Sequence, residues 1–182
     1  MAATPSTMVP LGTAMPSFDL PDPAGVRYSP SIGQKNGHLI IFMCNHCPFV
    51  IHVADLLAEL GRDFPNRGIE IIGINSNDIT KYPDDAPPRM ATEAEARNWT
   101  FPYLFDETQT VAKAFEATCT PDIFLYDDKG RLFYRGQLDD TRPSDDVPAT
   151  GSDIHAAVDA LLTGNPPPGD QRPSIGCNIK WK

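Results

Sequence analysis

The chain has 182 residues, and 41% of them are hydrophobic, a composition typical of one globular domain with a substantial core. Its formal net charge of −9 argues against nucleic acids and anionic membranes as partners, because both require a basic surface on the protein. No run approaches the ~20 apolar residues that span a bilayer, and the first 20 residues carry no secretory signal pattern, so we expect a cytoplasmic protein.

The beginning of the chain predicts an arm followed by a hairpin. Residues 1–16 are rich in Thr, Ser, Ala and Pro, so we expect a flexible N-terminal arm. Apolar and polar residues alternate at 17–20, and a second extended segment at 26–28 follows a Pro-Ala-Gly turn. The two segments together predict a β-hairpin ahead of the main domain.

The next stretch combines a buried strand, a cysteine turn and an amphipathic helix. Residues 38–42 are mostly apolar, Cys44 and Cys47 follow with two residues between them, and apolar residues recur at helical spacing over 49–64. The N–H groups at a helix N-terminus favour a thiolate, so we expect Cys44 to be the attacking sulfur and Cys47 the more buried, resolving sulfur. His46 is expected to add positive charge or carry a proton, unless it is only an exposed turn residue.

The rest of the chain alternates strands and helices. A strand at 69–74 is expected to run parallel to the first strand, because a helix connects the two. Polar residues at 75–78 predict either a substrate-binding rim or a hydrogen-bonded turn. The remaining patterns predict strands at 103–105, 122–126 and 132–137, and helices at 89–99, at 110–117 and from Ser152 to just before Gly164.

Two separated motifs resemble those of the thioredoxin-like family. One is the dithiol turn Cys44-Asn45-His46-Cys47, followed by Pro48, and the other is Thr120-Pro121. In that family the second motif is a cis-proline loop facing the cysteines, which implies that Thr120 and Pro121 bind an extended substrate segment. More narrowly, segments 42–48, 73–78, 101–106 and 176–181 resemble bacterial redoxin-type proteins of the AhpC/TSA superfamily.

The resemblance implies a thioredoxin-like α/β fold, with a central mixed β-sheet flanked by helices and an N-terminal β-hairpin extension. It divides the chain into the arm at 1–16, a thioredoxin-like domain at 17–164 and a C-terminal tail at 165–182 docked on that domain. Two positions depart from thioredoxins. His38 stands where thioredoxins carry a buried, proton-accepting aspartate, and Met43 replaces their tryptophan. The proton acceptor for Cys47 is therefore unassigned, with His38 as a candidate.

The resemblance also implies a thiol–disulfide oxidoreductase that works through a mixed disulfide. Cys44 would attack a substrate disulfide and Cys47 would complete the exchange, leaving a Cys44–Cys47 disulfide. The expected partners are a disulfide-containing protein or small molecule and a cellular thiol reductant, and the chemistry requires no cofactor or metal. Cys119, next to Thr120, and Cys177, in the tail, are either auxiliary redox cysteines or inert buried residues.

Two other functions remain open at this point. In a peroxiredoxin-like thiol peroxidase with an antioxidant role, Cys47 would be the peroxidatic cysteine, and its sulfenic acid would condense with Cys44. In a metal-binding module, the two cysteines and His46 would hold copper or zinc. The single Cys-X-X-Cys pair argues against a structural zinc site, which usually has two such pairs.

Overall fold

The computed structural model describes residues 3–182, so Met1 and Ala2 lie outside the described residues. The strands are β1 (Ala3–Pro5), β2 (Leu20–Pro21), β3 (Arg27–Tyr28), β4 (Gly37–Phe42), β5 (Ile69–Asn75), β6 (Tyr103–Phe105), β7 (Cys119–Thr120), β8 (Asp122–Asp127), β9 (Leu132–Arg135) and β10 (Ile175–Asn178). The α-helices are α1 (Pro48–His52), α2 (Ala54–Asp63), α3 (Pro87–Ala96), α4 (Thr110–Ala114) and α5 (Ser152–Leu162). Short 3₁₀ helices cover Phe64–Arg67 and Pro83–Asp85.

A five-stranded mixed sheet forms the centre of the molecule, in the order β6-β5-β4-β8-β9. Strands β4, β5 and β6 are parallel, while β8 pairs antiparallel with β4 and β9 antiparallel with β8. Every residue of β4 and of β5 is buried, because both faces of the sheet are covered. The predicted α/β fold with a central mixed sheet flanked by helices is confirmed.

Alternate side chains of β4 enter two separate hydrophobic cores, as the period of a strand requires. Leu39 and Ile41 pack in the larger core, together with side chains from α1, α2, α3 and α5. Ile40 and Phe42 point to the smaller core, which is completed by α4 and by the N-terminal hairpin. Strand β4 therefore carries the cysteines from the centre of the fold to one edge of the sheet.

The hairpin and the helix after the cysteines differ in detail from the predictions. The hairpin is present but shorter, with Leu20 opposite Tyr28 and Pro21 opposite Arg27. The single helix expected over 49–64 is divided at Val53 into α1 and α2. It also begins at Pro48, which fits the first helical position because no N–H is needed there.

The N-terminal segment is not a loose arm over the described residues, so that prediction is wrong for β1. Strand β1 pairs antiparallel with β10, placing Ala3 opposite Cys177 and Pro5 opposite Ile175. The backbone N–H of Ser6 extends the contact by donating to the carbonyl of Ser174 at 2.8 Å. The amino-acid composition of this segment did not indicate a strand, because pairing with another strand needs mainly backbone groups. Pro5 stands at the end of the strand, where proline is tolerated.

The C-terminal tail forms the middle strand of a second sheet, in the order β1-β10-β7. Cys177 and Ile179 are buried and Trp181 is exposed, so the tail is attached through backbone pairing and through apolar side chains in both cores. Among the described residues, no helix is both long enough and apolar enough to cross a membrane.

Candidate active site

The dithiol turn, residues 44–47, lies between the end of β4 and the start of α1. Cys47 is the N-cap of α1, with extended backbone angles (φ −73°, ψ 121°), and its carbonyl accepts the N–H of Ile51 at 2.9 Å. Cys44 lies three residues before this N-cap. Both cysteines are free thiols with at most 1% of their surface exposed, so the expected difference in burial between them is absent.

The electrostatic surroundings place the negative charge on Cys47. A hydrogen bond from the Cys44 thiol, together with donors from Thr120, from the Cys177 backbone and from the Val50 backbone, lowers the pKa of Cys47 to about 5 despite its burial. One contact opposes this, because the Cys47 Sγ lies 3.0 Å from the Thr120 carbonyl, to which only a protonated thiol donates. The donors outnumber that single acceptor, so the thiolate is favoured.

Cys44 is held in the protonated form. Its hydrogen bond to Cys47, its burial and the nearby Asp85 carboxylate raise its pKa well above the ordinary value, and the Thr120 hydroxyl, 3.6 Å from its sulfur, only partly offsets this. The expectation that the helix N-terminus activates Cys44 therefore does not fit the structure. The reason is local, because Cys47, and not Cys44, is the N-cap residue next to the free N–H groups of α1.

His46 contacts a buried carboxylate that sequence reasoning missed. Its Nδ1 lies 2.8 Å from Oδ2 of Asp85, and its ring stacks on Tyr82 with the centroids 5.4 Å apart. Asp85 is the main cause of the raised pKa of His46, which burial opposes. His46 is thus anchored beside Cys44 rather than free in solvent.

Asp85 is fixed by polar groups from two loops. Its carboxylate accepts the backbone N–H of Asn45 at 2.9 Å and the side-chain amide of Asn77 at 2.8 Å. The amide of Asn75 donates to the Asp85 carbonyl at 2.9 Å. Residues 75–78 are all buried, so they form the hydrogen-bonded turn that was one of the two predicted alternatives. No sequence signal distinguished Asp85 from its exposed neighbour Asp84.

The Thr120-Pro121 loop lies against both cysteines. Its peptide bond is cis, as expected from the resemblance. Thr120 contacts Cys44 through its hydroxyl and Cys47 through its carbonyl. Directly after the loop, Asp122 forms a completely buried ion pair with Arg135 and accepts the backbone N–H of Thr118 at 3.0 Å. The loop is therefore held in place from its C-terminal side.

The two further cysteines occupy different surroundings. Cys119 is fully buried in β7, and its thiol points to the Pro121 carbonyl at 3.6 Å. Burial and the charge of Asp122 raise its pKa. Cys177 in β10 contacts Cys47 through both its backbone N–H and its thiol. The fold thus brings Cys177, and not Cys119, into direct contact with the dithiol turn.

His38 does not reach the site. It lies at the start of β4, where its Nδ1 is 2.7 Å from Oε2 of Glu70. Six residues of extended strand separate it from Cys44, a distance of about 20 Å. The candidate role of His38 as proton acceptor for Cys47 is therefore wrong. Titratable groups that do lie near the cysteines include His46, Asp85 and Tyr103.

A metal could be bound by Cys44, His46 and Asp85, because their ligand atoms lie within 4.8 Å of one another. A thiolate, an imidazole and a carboxylate are suitable ligands for zinc. The Asp85 carboxylate, however, already accepts two hydrogen bonds and contacts His46. The hydrogen bonds and the ion pair explain this geometry, and metal binding stays an open prediction.

Comparison with known proteins identifies the family and agrees with the fold. Residues 11–135 match the model of the AhpC/TSA family. The chain belongs to this family. A crystal structure of an uncharacterized conserved protein from Geobacillus kaustophilus is similar over 100% of this chain and 97% of that one, with 48% identity and a TM-score of 0.96.

More distant relatives of this AhpC/TSA protein are redox enzymes. The thiol-disulfide oxidoreductase ResA of Geobacillus kaustophilus (strain HTA426) is 26% identical over 131 residues, which cover 71% of this chain and 70% of the relative. The thioredoxin domain of a thiol-disulfide oxidoreductase from Bacteroides vulgatus is 17% identical and covers 71% of this chain and 91% of that domain, with a TM-score of 0.58. The second likeness shows the thioredoxin-like fold, and the first supports redox enzyme activity in general terms.

Proposed function

We propose that this protein is a thiol–disulfide oxidoreductase whose active dithiol is Cys44 and Cys47, with Cys47 as the nucleophile. The observation that carries the proposal is the position of Cys47 at the N-cap of α1, with the cis Thr120-Pro121 loop against both sulfurs, and the pKa of Cys47 is lowered to about 5 in these surroundings. A thiolate is the reactive form of cysteine, and the lowered pKa of Cys47 together with the raised pKa of Cys44 favours ionisation at Cys47. This assignment reverses the roles expected from the sequence.

The reduction of a substrate disulfide follows in two exchanges. The Cys47 thiolate attacks one substrate sulfur, the substrate S–S bond breaks, and the leaving thiolate takes up a proton. His46 lies beside this centre with a raised pKa, so it supplies that proton. Cys44 then attacks Cys47, the mixed disulfide breaks, and the second substrate thiol leaves. Two electrons pass to the substrate, and the Cys44–Cys47 disulfide remains.

The first exchange prepares the second one. While Cys47 is ionised, its charge and its hydrogen bond with Cys44 keep Cys44 protonated. Once Cys47 has entered the mixed disulfide, its negative charge is gone, and Cys44 loses its proton more easily. A cellular thiol would then reduce the Cys44–Cys47 disulfide, completing the cycle without a cofactor.

Insulin reduction tests this function. We expect the wild-type protein to reduce insulin in the presence of a thiol reductant, and Cys44→Ser and Cys47→Ser to lose the catalytic activity. Cys119→Ser is the matched control, because it alters a buried cysteine next to Thr120 that does not take part, and it should keep the activity. Full activity in Cys47→Ser would refute the proposal.

Reduction of peroxide is a second candidate, favoured by the burial of Cys47. Its sulfur is 0% exposed, so a small oxidant reaches it with less rearrangement than a protein disulfide requires. The Cys47 thiolate would be oxidised to a sulfenic acid, water would leave as Cys44 condenses with it, and the same disulfide would result. Stopped-flow tryptophan fluorescence with hydrogen peroxide tests this function. Oxidation no faster than that of a simple thiol would exclude it.

A further inference from the structure

Strand β10 of the C-terminal tail lies on the strand that leads into Pro121. In this antiparallel ladder Cys177 is opposite Thr120, and Asn178 is opposite Cys119. An extended substrate segment would pair at this same edge of β7, by strand addition. The protein's own tail therefore covers that edge and brings a third cysteine to the dithiol turn.

Gly176 permits this close approach. A Cβ atom at this position would lie 2.0 Å from the carbonyl oxygen of Thr120 and 2.5 Å from its carbonyl carbon. Any other residue would push β10 away from β7. The contact between Cys177 and the dithiol turn thus depends on a glycine directly before the cysteine.

Hydrogen bonds hold β10 in register on both sides. Its other edge pairs with β1, where Ala3 is opposite Cys177. Just beyond the strand, the backbone N–H of Lys180 donates to Oδ1 of Asn77 at 2.8 Å, and the Lys180 carbonyl accepts the side-chain amide of Gln109 at 2.8 Å. Cys177 is therefore presented by an ordered strand and not by a loose end.

The Cys47 sulfur has two thiol neighbours as a result. Cys44, Cys47 and Cys177 are buried in the same core, and Cys177 is opposite Thr120, whose hydroxyl lies 3.6 Å from the Cys44 sulfur and whose carbonyl lies 3.0 Å from the Cys47 sulfur. Burial and the contacts with Cys47 raise the pKa of Cys177 to about 11. Cys177 consequently keeps its proton in the reduced protein, as Cys44 does.

We propose that Cys177 is a second exchange partner of Cys47, so that oxidation moves from the Cys44–Cys47 disulfide to a Cys47–Cys177 disulfide. The inference rests on the proposed function, which supplies the first disulfide. The Cys177 sulfur attacks the Cys47 sulfur, the Cys47–Cys177 bond forms, the Cys44–Cys47 bond breaks, and Cys44 leaves as a thiolate. Cys44 takes up the proton that Cys177 loses, so the step needs no added oxidant or reductant.

The exchange has a consequence for the site. The Cys47–Cys177 disulfide bonds β10 covalently to the dithiol turn, so the tail can no longer leave the edge of β7 that it covers, while Cys44 returns to the free thiol. A cellular thiol that reduces the Cys47–Cys177 bond restores the active dithiol. The tail thus acts as an internal substrate that regulates the same site.

The experiment uses full-length Cys44→Ser, in which Cys47 has lost its usual partner. The reduced variant is exposed to oxidised glutathione at about 10 µM, quenched in acid and mapped by mass spectrometry without reduction. A neighbouring thiol acts at an effective concentration of about 1 mM. Because the glutathione released reaches at most about 20 µM, we expect the Cys47–Cys177 disulfide to exceed the Cys47–glutathione adduct by about 50-fold. Adding Cys119→Ser should change nothing, and adding Cys177→Ser should make the adduct accumulate.

A Cys47–glutathione adduct that persists beside free Cys177 would overturn the inference. The wild-type protein is treated in the same way as a control for the proposed function. If that function is wrong, the wild type forms no Cys44–Cys47 disulfide. If only the inference about Cys177 is wrong, this disulfide still forms. If Cys44→Ser does not fold, as judged by circular dichroism, the wild-type time course decides. A minor fraction of wild-type protein with the Cys47–Cys177 disulfide would support the exchange. If Cys44–Cys47 is the sole disulfide at every time point, the exchange is contradicted.

Discussion

His46 Nδ1 lies 2.8 Å from the buried carboxylate of Asp85, which joins the dithiol turn to the short helix at Pro83–Asp85. The same carboxylate accepts the backbone N–H of Asn45. Asp85 therefore fixes the shape of the turn and raises the pKa of His46, whereas its charge disfavours a thiolate at Cys44. One residue outside the motif influences two residues within it.

Replacing Asp85 by asparagine should lower the pKa of His46, because the carboxylate is the main cause of its increase. Titration of the His46 ring by NMR measures this directly. Asp84→Asn is the matched control, since that neighbouring side chain is exposed. An unchanged titration in Asp85→Asn would contradict the account.

The same substitution should also destabilise the fold, by an amount that decreases as the pH rises. A histidine with a raised pKa stabilises the fold below its unfolded pKa of about 6.5, and this contribution is lost as the pH rises through the folded value. Asp85→Asn should cost about 1–3 kcal/mol through lost hydrogen bonds, and more at about pH 5.5 than at about pH 8.5. Urea denaturation at the two pH values measures the difference.

The alkylation of Cys47 should follow the ionisation of its own thiol. We expect the rate with iodoacetamide, measured on the Cys47 peptide, to rise with pH through a midpoint near 5 and then level off. Cys44→Ala removes the largest cause of the low pKa and should raise the midpoint by about 1–2 units. Cys44→Ser keeps a donor and should shift it less. A wild-type midpoint near that of an ordinary thiol would contradict the assignment.

Much of the fold and part of the site could be predicted from local sequence. Apolar runs and turns identified the central strands, and the cysteine spacing identified the dithiol turn. Three features of the site depend on contacts between distant segments and had no local signal: the buried carboxylate of Asp85, the approach of Cys177 and the pairing of β1 with β10.

For a similar reason, the sequence predicts the lower pKa at Cys44, whereas the surroundings in the structure favour the lower pKa at Cys47. The sequence places a helix after the cysteines, but helix ends are uncertain by one or two residues. That margin decides whether the free N–H groups meet Cys44 or Cys47. The structure places Cys47 at the N-cap and adds a further donor from Cys177, which no pattern within the helix reveals.

Gly176→Ala should destabilise the protein by about 1–3 kcal/mol, as expected when a close-packed site is overfilled. The added Cβ would lie 2.0 Å from the Thr120 carbonyl oxygen, so β10 must shift. Gly169→Ala is the control, since no heavy atom lies within 4 Å of its added Cβ. Urea denaturation compares the two variants, and equal stability would show that β10 is not packed as described.

The buried ion pair between Arg135 and Asp122 should be essential for the stability of the segment after Pro121. Both side chains are completely buried, so Arg135→Met leaves an unpaired buried carboxylate and should cost about 3–5 kcal/mol. Arg27→Met breaks an exposed ion pair with Asp19 and should cost about 1 kcal/mol or less. The free energies of unfolding in urea provide the comparison.

The most direct test asks which cysteine bonds first to a substrate. Cys44→Ser and Cys47→Ser, each combined with Cys177→Ser so that the tail cysteine cannot displace the adduct, are reacted with a small aromatic disulfide at pH 7, and the mixed disulfide is located by mass spectrometry within the first seconds. We expect rapid reaction at Cys47 in Cys44→Ser and slow reaction at Cys44 in Cys47→Ser. Rapid reaction at Cys44, with Cys47 inert in the other variant, would contradict it.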